Sequence, residues 1–180
     1  MSKRMSTQRV ALCGLMLAMM LILGWVERVL VQPMMMSIPF LNVVFALPGI
    51  KLGLANSVLI FAVYMLDIPT AYVLMFFKVF LSNVMFGSLG VTFAMGMAGG
   101  AVSLTAMVLV SRIRGMHPVT VSIVGGVMHM VGQILMALLV ANTPGLVTVL
   151  PFLMISGLVC GAITGVCADR VMKYMKHMKL

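Results

Sequence analysis

Acidic side chains are nearly missing from this chain: Glu27, Asp67 and Asp169 are the only three in 180 residues. Charged residues of both signs make up 8%, where a soluble domain carries roughly 25%. A soluble globule of this size could not cover its surface with so few charges, which excludes a cytosolic enzyme, a disordered chain and a soluble nucleic-acid binder. Three scattered acids cannot hold a Mg²⁺–pyrophosphate pair. No G-x-x-x-x-G-K-[ST] phosphate loop is present, so ATP hydrolysis by that route is excluded. No Ser-His-Asp set can be built from acids so placed, and His117, His129 and Gln133 do not make a metal set. Cys13, Cys160 and Cys167 lie in apolar runs without ligand or disulfide spacing and read as small buried side chains. No catalytic residue, cofactor or metal is expected. No inverted repeat is visible either, which weakens the case for a self-sufficient secondary transporter.

What the chain has instead is apolar length. Hydrophobic residues reach 63%, methionine alone contributes 22, and the mean hydropathy is +1.21. A hydrocarbon core of ~30 Å needs ~20 apolar helical residues, and six runs approach that: 10–26, 49–66, 70–86, 91–110, 118–141 and 146–171. The expected fold is therefore all-α, a single polytopic membrane domain over 1–180 built as a six-helix bundle. Between the first two runs, 30–48 is apolar but holds Pro33, Pro39 and Pro48, which reads as an extracytoplasmic loop or a short embedded helix. The basic N-terminus resembles a signal peptide, but no small-x-small cleavage pattern comes after it, since Trp25, Glu27 and Arg28 are next. An uncleaved first span is expected.

The 12 basic residues, net +9, divide into two populations. Lys3, Arg4 and Arg9 precede span 1, Arg112 and Arg114 lie between spans 4 and 5, and Arg170, Lys173, Lys176 and Lys179 follow or close span 6. With six spans these fall on one side, the cytoplasmic one, with both termini inside. They account for most of the basic excess without nucleic acid. Arg28, Lys51 and Lys78 remain.

Ionisable groups inside a membrane are costly and face a cavity or a partner. Lys78 sits near the middle of span 3, too deep to snorkel easily, with Ser82 one turn on and Asn83 beside it. Span 2 carries Lys51 and Asn56; span 5 carries His129 and Gln133, four apart and so on one helix face. The alternating topology places Lys51, Asn56, Lys78, Asn83, His129 and Gln133 in the middle or outer half of the bundle, with Glu27 and Arg28 at the outer end of span 1. This predicts an outward-facing pocket, net positive, suited to an amphipathic anion bearing a carboxylate, phosphate or pyrophosphate. Small residues at spacing four (Gly157, Gly161 and Gly165; Gly96 and Gly100; Gly49 and Gly53; Gly14 and Ala18) predict close helix approach, within the chain or against a partner protein.

Two segments carry a family resemblance. Pro48-Gly49-Ile50-Lys51-Leu52-Gly53-Leu54-Ala55-Asn56 and Gly125-Gly126-Val127-Met128-His129-Met130-Val131-Gly132-Gln133 resemble the motifs of small bacterial membrane proteins labelled "Gx transporter" or "heptaprenyl diphosphate synthase component I". Lys78 matches a basic residue of the third span, though arginine is more usual there, and Met130 stands where asparagine is more usual. That family in turn resembles the substrate-binding S components of energy-coupling factor (ECF) transporters. The resemblance implies a six-helix bundle of the bacterial cytoplasmic membrane that binds a vitamin-like molecule from outside. It also implies docking, through small residues of helix 1 matched here by Gly14 and Ala18, onto a membrane coupling protein with two ATPase subunits. The rival reading is a non-catalytic membrane subunit associated with prenyl diphosphate or quinone metabolism; a third is a scaffold of a membrane complex.

Overall fold

The computed structural model describes residues 7–39, 54–87, 89–141, 147–148 and 150–177; those described are mostly helical, with no strand among them. Five stretches are long and apolar enough to cross a bilayer: Arg9–Met36, Ile68–Met85, Val91–Ser111, Pro118–Val140 and Leu150–Tyr174. The chain is an all-α polytopic membrane protein.

Helix α1 (Thr7–Val26) does not stop at Val26, where the charged pair Glu27-Arg28 predicts the end of the span. It runs through a π-helical turn, Glu27–Val31, into a short α2 (Gln32–Met36), so that the whole span is 28 residues. The Gln32 N–H reaches back five residues to Glu27 O, and Pro33 comes next, in the first turn of α2. Proline has no N–H to give the carbonyl four residues back, and a π turn is one way a helix absorbs such a fault. The charged pair does not end the helix because each member is engaged within the protein.

The described part of the second span is a 3₁₀ turn, Leu54–Asn56, and a nine-residue α3 (Ser57–Met65). Residues 49–53 of that expected span, and 40–48 of the preceding loop, lie outside the described residues. Helix α4 (Ile68–Met85) takes Pro69 in its first turn, where a missing N–H is harmless. It ends at Gly87, whose φ of +62° a side chain would resist. Helix α5 (Val91–Ser111) leads into a turn through Gly115 at φ +85°. Helix α6 (Pro118–Ala141) and helix α7 (Leu150–His177) complete the bundle.

Side-chain contacts fix the direction of each helix. Arg9 Nη1 donates to Asp67 Oδ2 at 3.0 Å, and the Arg28 guanidinium lies 4.3 Å above the Phe86 ring. Helices α1 and α4 therefore run parallel, and the chain between them returns to its starting end. The two contacts are nineteen residues apart on each helix, roughly 29 Å of α-helix, about the thickness of a hydrocarbon core.

Helix α5 runs back along α4, with Tyr72 and Thr105 sharing a hydroxyl hydrogen bond of 2.7 Å. Helix α6 runs back along α5, with Ser103 Oγ donating to Gly125 O at 2.7 Å. Helix α7 runs back along α6, with Ser122 and Thr164 hydroxyls 3.1 Å apart and His117 3.6 Å from Asp169. The start of α1, the α5–α6 turn and the end of α7 thus share one end of the bundle. Arg9, Arg112, Arg114, Arg170 and Lys173 gather there, whereas Arg28 lies at the other end.

The glycine spacing of α7 is internal packing. A Cβ on Gly157 would lie 2.7 Å from Gly126 O, on Gly161 2.8 Å from Ile123 Cα, and on Gly165 2.8 Å from Val119 Cα. Helix α6 also meets α5 backbone to backbone, since a Cβ on Gly132 would lie 2.9 Å from both Ala98 O and Gly99 Cα. Gly96 and Gly100 of α5 instead accommodate the side chains of Val79 and Met75 on α4. Large apolar side chains cover the outer surface, among them Leu15, Ile22, Phe76, Leu109, Leu139 and Ile155, where acyl chains are as apolar as they are.

Candidate functional site

Polar side chains from four parts of the chain meet inside this bundle. On α6, His129 and Gln133 project from one face one turn apart, 4% and 1% exposed. They fit because α5 presents Gly99 to them: a Cβ there would lie 2.7 Å from Gln133 Cγ and 3.0 Å from His129 Cε1. On α4, Lys78 and Ser82 lie one turn apart. The Lys78 ammonium donates to Asn56 Oδ1 at the end of the 3₁₀ turn. On α1, the π turn brings Glu27 inward, 4% exposed, while its neighbour Arg28 stacks on Phe86.

Glu27, Lys78, Ser82, His129 and Gln133 line a common cavity of about 30 Å³, closed on its apolar side by Met20, Ala55 and Val79. That volume holds one or two waters, far below the 300–1,000 Å³ of a drug-sized ligand site. In this conformation the helices are shut around their polar groups, and a larger molecule requires them to part. Lys78 lies eight residues before Phe86, roughly 12 Å along the helix from the Arg28 end.

The structure brings some of the residues singled out from the sequence together and separates others. Lys78, His129 and Gln133 face the same cavity, and Asn56 joins them through Lys78. Asn83 is fully buried, but its Nδ2 donates to Val79 O of its own helix at 2.7 Å, and the residue is not among those lining the cavity. Lys51 lies outside the described residues. The largest departure is Glu27, expected at the end of a span and found inside. Its carboxylate shares the cavity lining with Lys78, so the described lining carries one acid and one Lys rather than basic side chains alone. Spacing gives no sign of this, because the π turn adds a residue to the helical repeat and re-aims the side chains beyond it. Gly99 was also missed; its signal is the Gly99-Gly100 pair, of which only the second fits the spacing of four.

Two buried polar atoms of the cluster, Asn56 Nδ2 and His129 Nδ1, have no hydrogen-bond partner among the described residues, although both residues are engaged through other atoms. Among the described residues no group of three His, Cys, Asp or Glu is placed to hold a metal ion. Gly14 and Ala18 face outward from α1, and a Cβ on Gly14 would meet nothing within 4 Å.

Gly99→Val is expected to destabilise the protein by about 1–3 kcal/mol, because its methyls displace Gln133 and His129 rather than a flexible surface chain. Chemical unfolding in detergent checks this; an unchanged midpoint would show that the α5–α6 contact is looser than these distances imply.

No curated protein and no solved structure matches this chain. The family model described as heptaprenyl diphosphate synthase component I matches residues 16–171, from α1 into the last turns of α7, and the chain belongs to that family.

Proposed function

We propose that this protein is the substrate-binding membrane component of an ECF-type uptake transporter, taking a small vitamin-like or amphipathic molecule from the outer side of a bacterial cytoplasmic membrane. The observation that carries this reading is the buried cluster at Lys78, in which side chains of α1, α4 and α6 and of the turn before α3 converge on one cavity at membrane depth. Polar groups placed there at such expense mark a binding site or a conduction path, and a small cavity lined by polar and apolar side chains together fits binding better than conduction. The end carrying Arg9, Arg112, Arg114, Arg170 and Lys173 is the cytoplasmic end, which leaves the Arg28 end, nearer to Lys78, facing outward.

In this reading α1 docks the coupling protein through Gly14 and Ala18. Their outward position supports it, because small residues left bare on a membrane helix permit a second helix to approach closely. The ATPases belong to other chains.

The family description favours a second reading, a non-catalytic component working with another subunit of a prenyl diphosphate synthase. Affinity purification from native membranes separates the two. A membrane coupling protein with two ATPases in stoichiometric yield supports transport; a soluble prenyl synthase in their place supports the second reading and overturns the first. Gly14→Leu is expected to leave thermal stability unchanged and to reduce recovery of the coupling protein at least tenfold, because the added side chain enters open space in this chain and blocks only an approaching helix.

A further inference from the structure

The basic end of the bundle holds more cations than the chain has acidic side chains to meet them. Those acids are three. Asp67 bonds Arg9, Asp169 bonds Lys173 at 2.7 Å and lies 3.6 Å from His117, and Glu27 lines the cavity. Arg112, Arg114 and Arg170 are exposed and have no carboxylate partner among the described residues. Two of these three share the short turn between α5 and α6. That turn is apolar as well as basic: Ile113 is 52% and Met116 38% exposed. Leu109, on the acyl-facing surface of α5, is 61% exposed, and the Arg112 N–H still bonds its carbonyl, so Arg112 continues that face. Its depth follows from the Tyr72–Thr105 hydrogen bond. Asp67 lies five residues before Tyr72 and Arg112 seven after Thr105, so Arg112 stands roughly 3 Å beyond the Arg9–Asp67 level. That level marks the edge of the hydrocarbon core, and the arginines sit where lipid phosphates lie.

We propose that the α5–α6 turn binds an anionic phospholipid of the leaflet at this end, with Arg112 and Arg114 holding the phosphate and Leu109, Ile113 and Met116 against the acyl chains. A guanidinium meets phosphate oxygens through parallel N–H bonds, and basic side chains at a bilayer surface favour anionic lipids. A zwitterionic lipid brings the same phosphate together with its own cation, so the turn prefers a headgroup of net negative charge. Asp169, the acid that reaches the turn through His117, is already met by Lys173 and does not oppose such a headgroup with a full charge. An acidic protein segment would meet the arginines but offer nothing to Ile113 and Met116, which is why a lipid is the better occupant.

The test is thermal unfolding of the full-length protein in neutral detergent, with phosphatidylglycerol or phosphatidylcholine of the same acyl chains added. Phosphatidylglycerol is expected to raise the unfolding temperature by roughly 3 °C or more above phosphatidylcholine. An Arg112→Gln, Arg114→Gln double variant is expected to lose at least half of that difference. Lys173→Gln, which removes a cation already paired with Asp169, is expected to keep it. No difference between the two lipids in the wild type overturns the proposal. Equal losses in the double variant and Lys173→Gln overturn it too, since the effect is then one of diffuse charge. The same rise with glycerol phosphate, which has no acyl chains, shows a site for free phosphate in place of a lipid. Absence of any lipid effect, with a membrane protein co-purifying with the wild type and lost from the double variant, assigns the arginines to a protein partner and overturns the lipid. Should the double variant not fold, the wild type's discrimination between the two lipids decides alone.

Discussion

Lys78→Met is expected to abolish ligand retention, by more than 100-fold, in a protein that still inserts into the membrane. Methionine keeps much of the lysine stem and removes only the ammonium. Asn56 Oδ1 then loses its donor, and the cavity keeps Glu27 without the one Lys or Arg among its described lining. Losing the buried ammonium's charged contact with a bound molecule costs about 2–5 kcal/mol of binding. A loss of ~3 kcal/mol exceeds a hundredfold in affinity. The measurement is the amount of small molecule that the purified protein releases on denaturation, together with a detergent unfolding curve. Equal retention would show that Lys78 is structural. A Glu27→Gln, Lys78→Met double variant sharpens the comparison: if the two charges act as a pair, the double variant recovers stability that Lys78→Met loses, and a coupling near zero separates them.

Gly157→Leu is expected to prevent folding outright. Its first added carbon would lie 2.7 Å from Gly126 O, and two further neighbours, Gly126 C and Met130 Cγ, would lie at 3.0 and 3.1 Å. Overpacking against flexible side chains costs about 1–3 kcal/mol. Here the obstacle is another helix's backbone, which cannot rotate away, and each turn of α7 repeats the contact at Gly161 and Gly165. Fluorescence-detected size exclusion should show loss of the monodisperse peak. Gly14→Leu, on the same footing chemically, should keep it, because nothing lies within 4 Å of that position. A sharp peak for Gly157→Leu would mean that α6 and α7 can separate without loss of the fold.

The contrast between Gly14 and Gly157 shows where the sequence was readable. Spacing of four identified both as small-residue faces, but spacing does not encode what lies opposite. Depth proved more informative. Lys78, His129 and Gln133 reach one cavity because their positions along alternating helices put them at one level, a matter of residue counting and the 1.5 Å rise. Asn83, one residue from Ser82, shares that level but faces α5 and bonds its own backbone, since depth says nothing about azimuth. Glu27 was misplaced for a different reason. A carboxylate next to an arginine after an apolar run has the pattern of a span end. Only the partners that each side chain finds, and the extra residue of the π turn, reveal a helix that carries on to Met36.

The manner in which the helices touch has a mechanical consequence. Helices α5, α6 and α7 are joined where main chain meets main chain, at Gly99 with Gly132 and at Gly126 with Gly157. The α4–α5 seam is made of side chains instead, Val79 against Gly96 and the pliable thioether of Met75 against Gly100. The cavity lies across that seam, with Lys78 and Glu27 on one bank and His129 and Gln133 on the other. Three helices are thus joined through their main chains, while α1 and α4 are held to each other at Arg9–Asp67 and Arg28–Phe86. Of these joints the α4–α5 seam is the one that side-chain rotation alone can loosen, with the flexible Met75 at its centre.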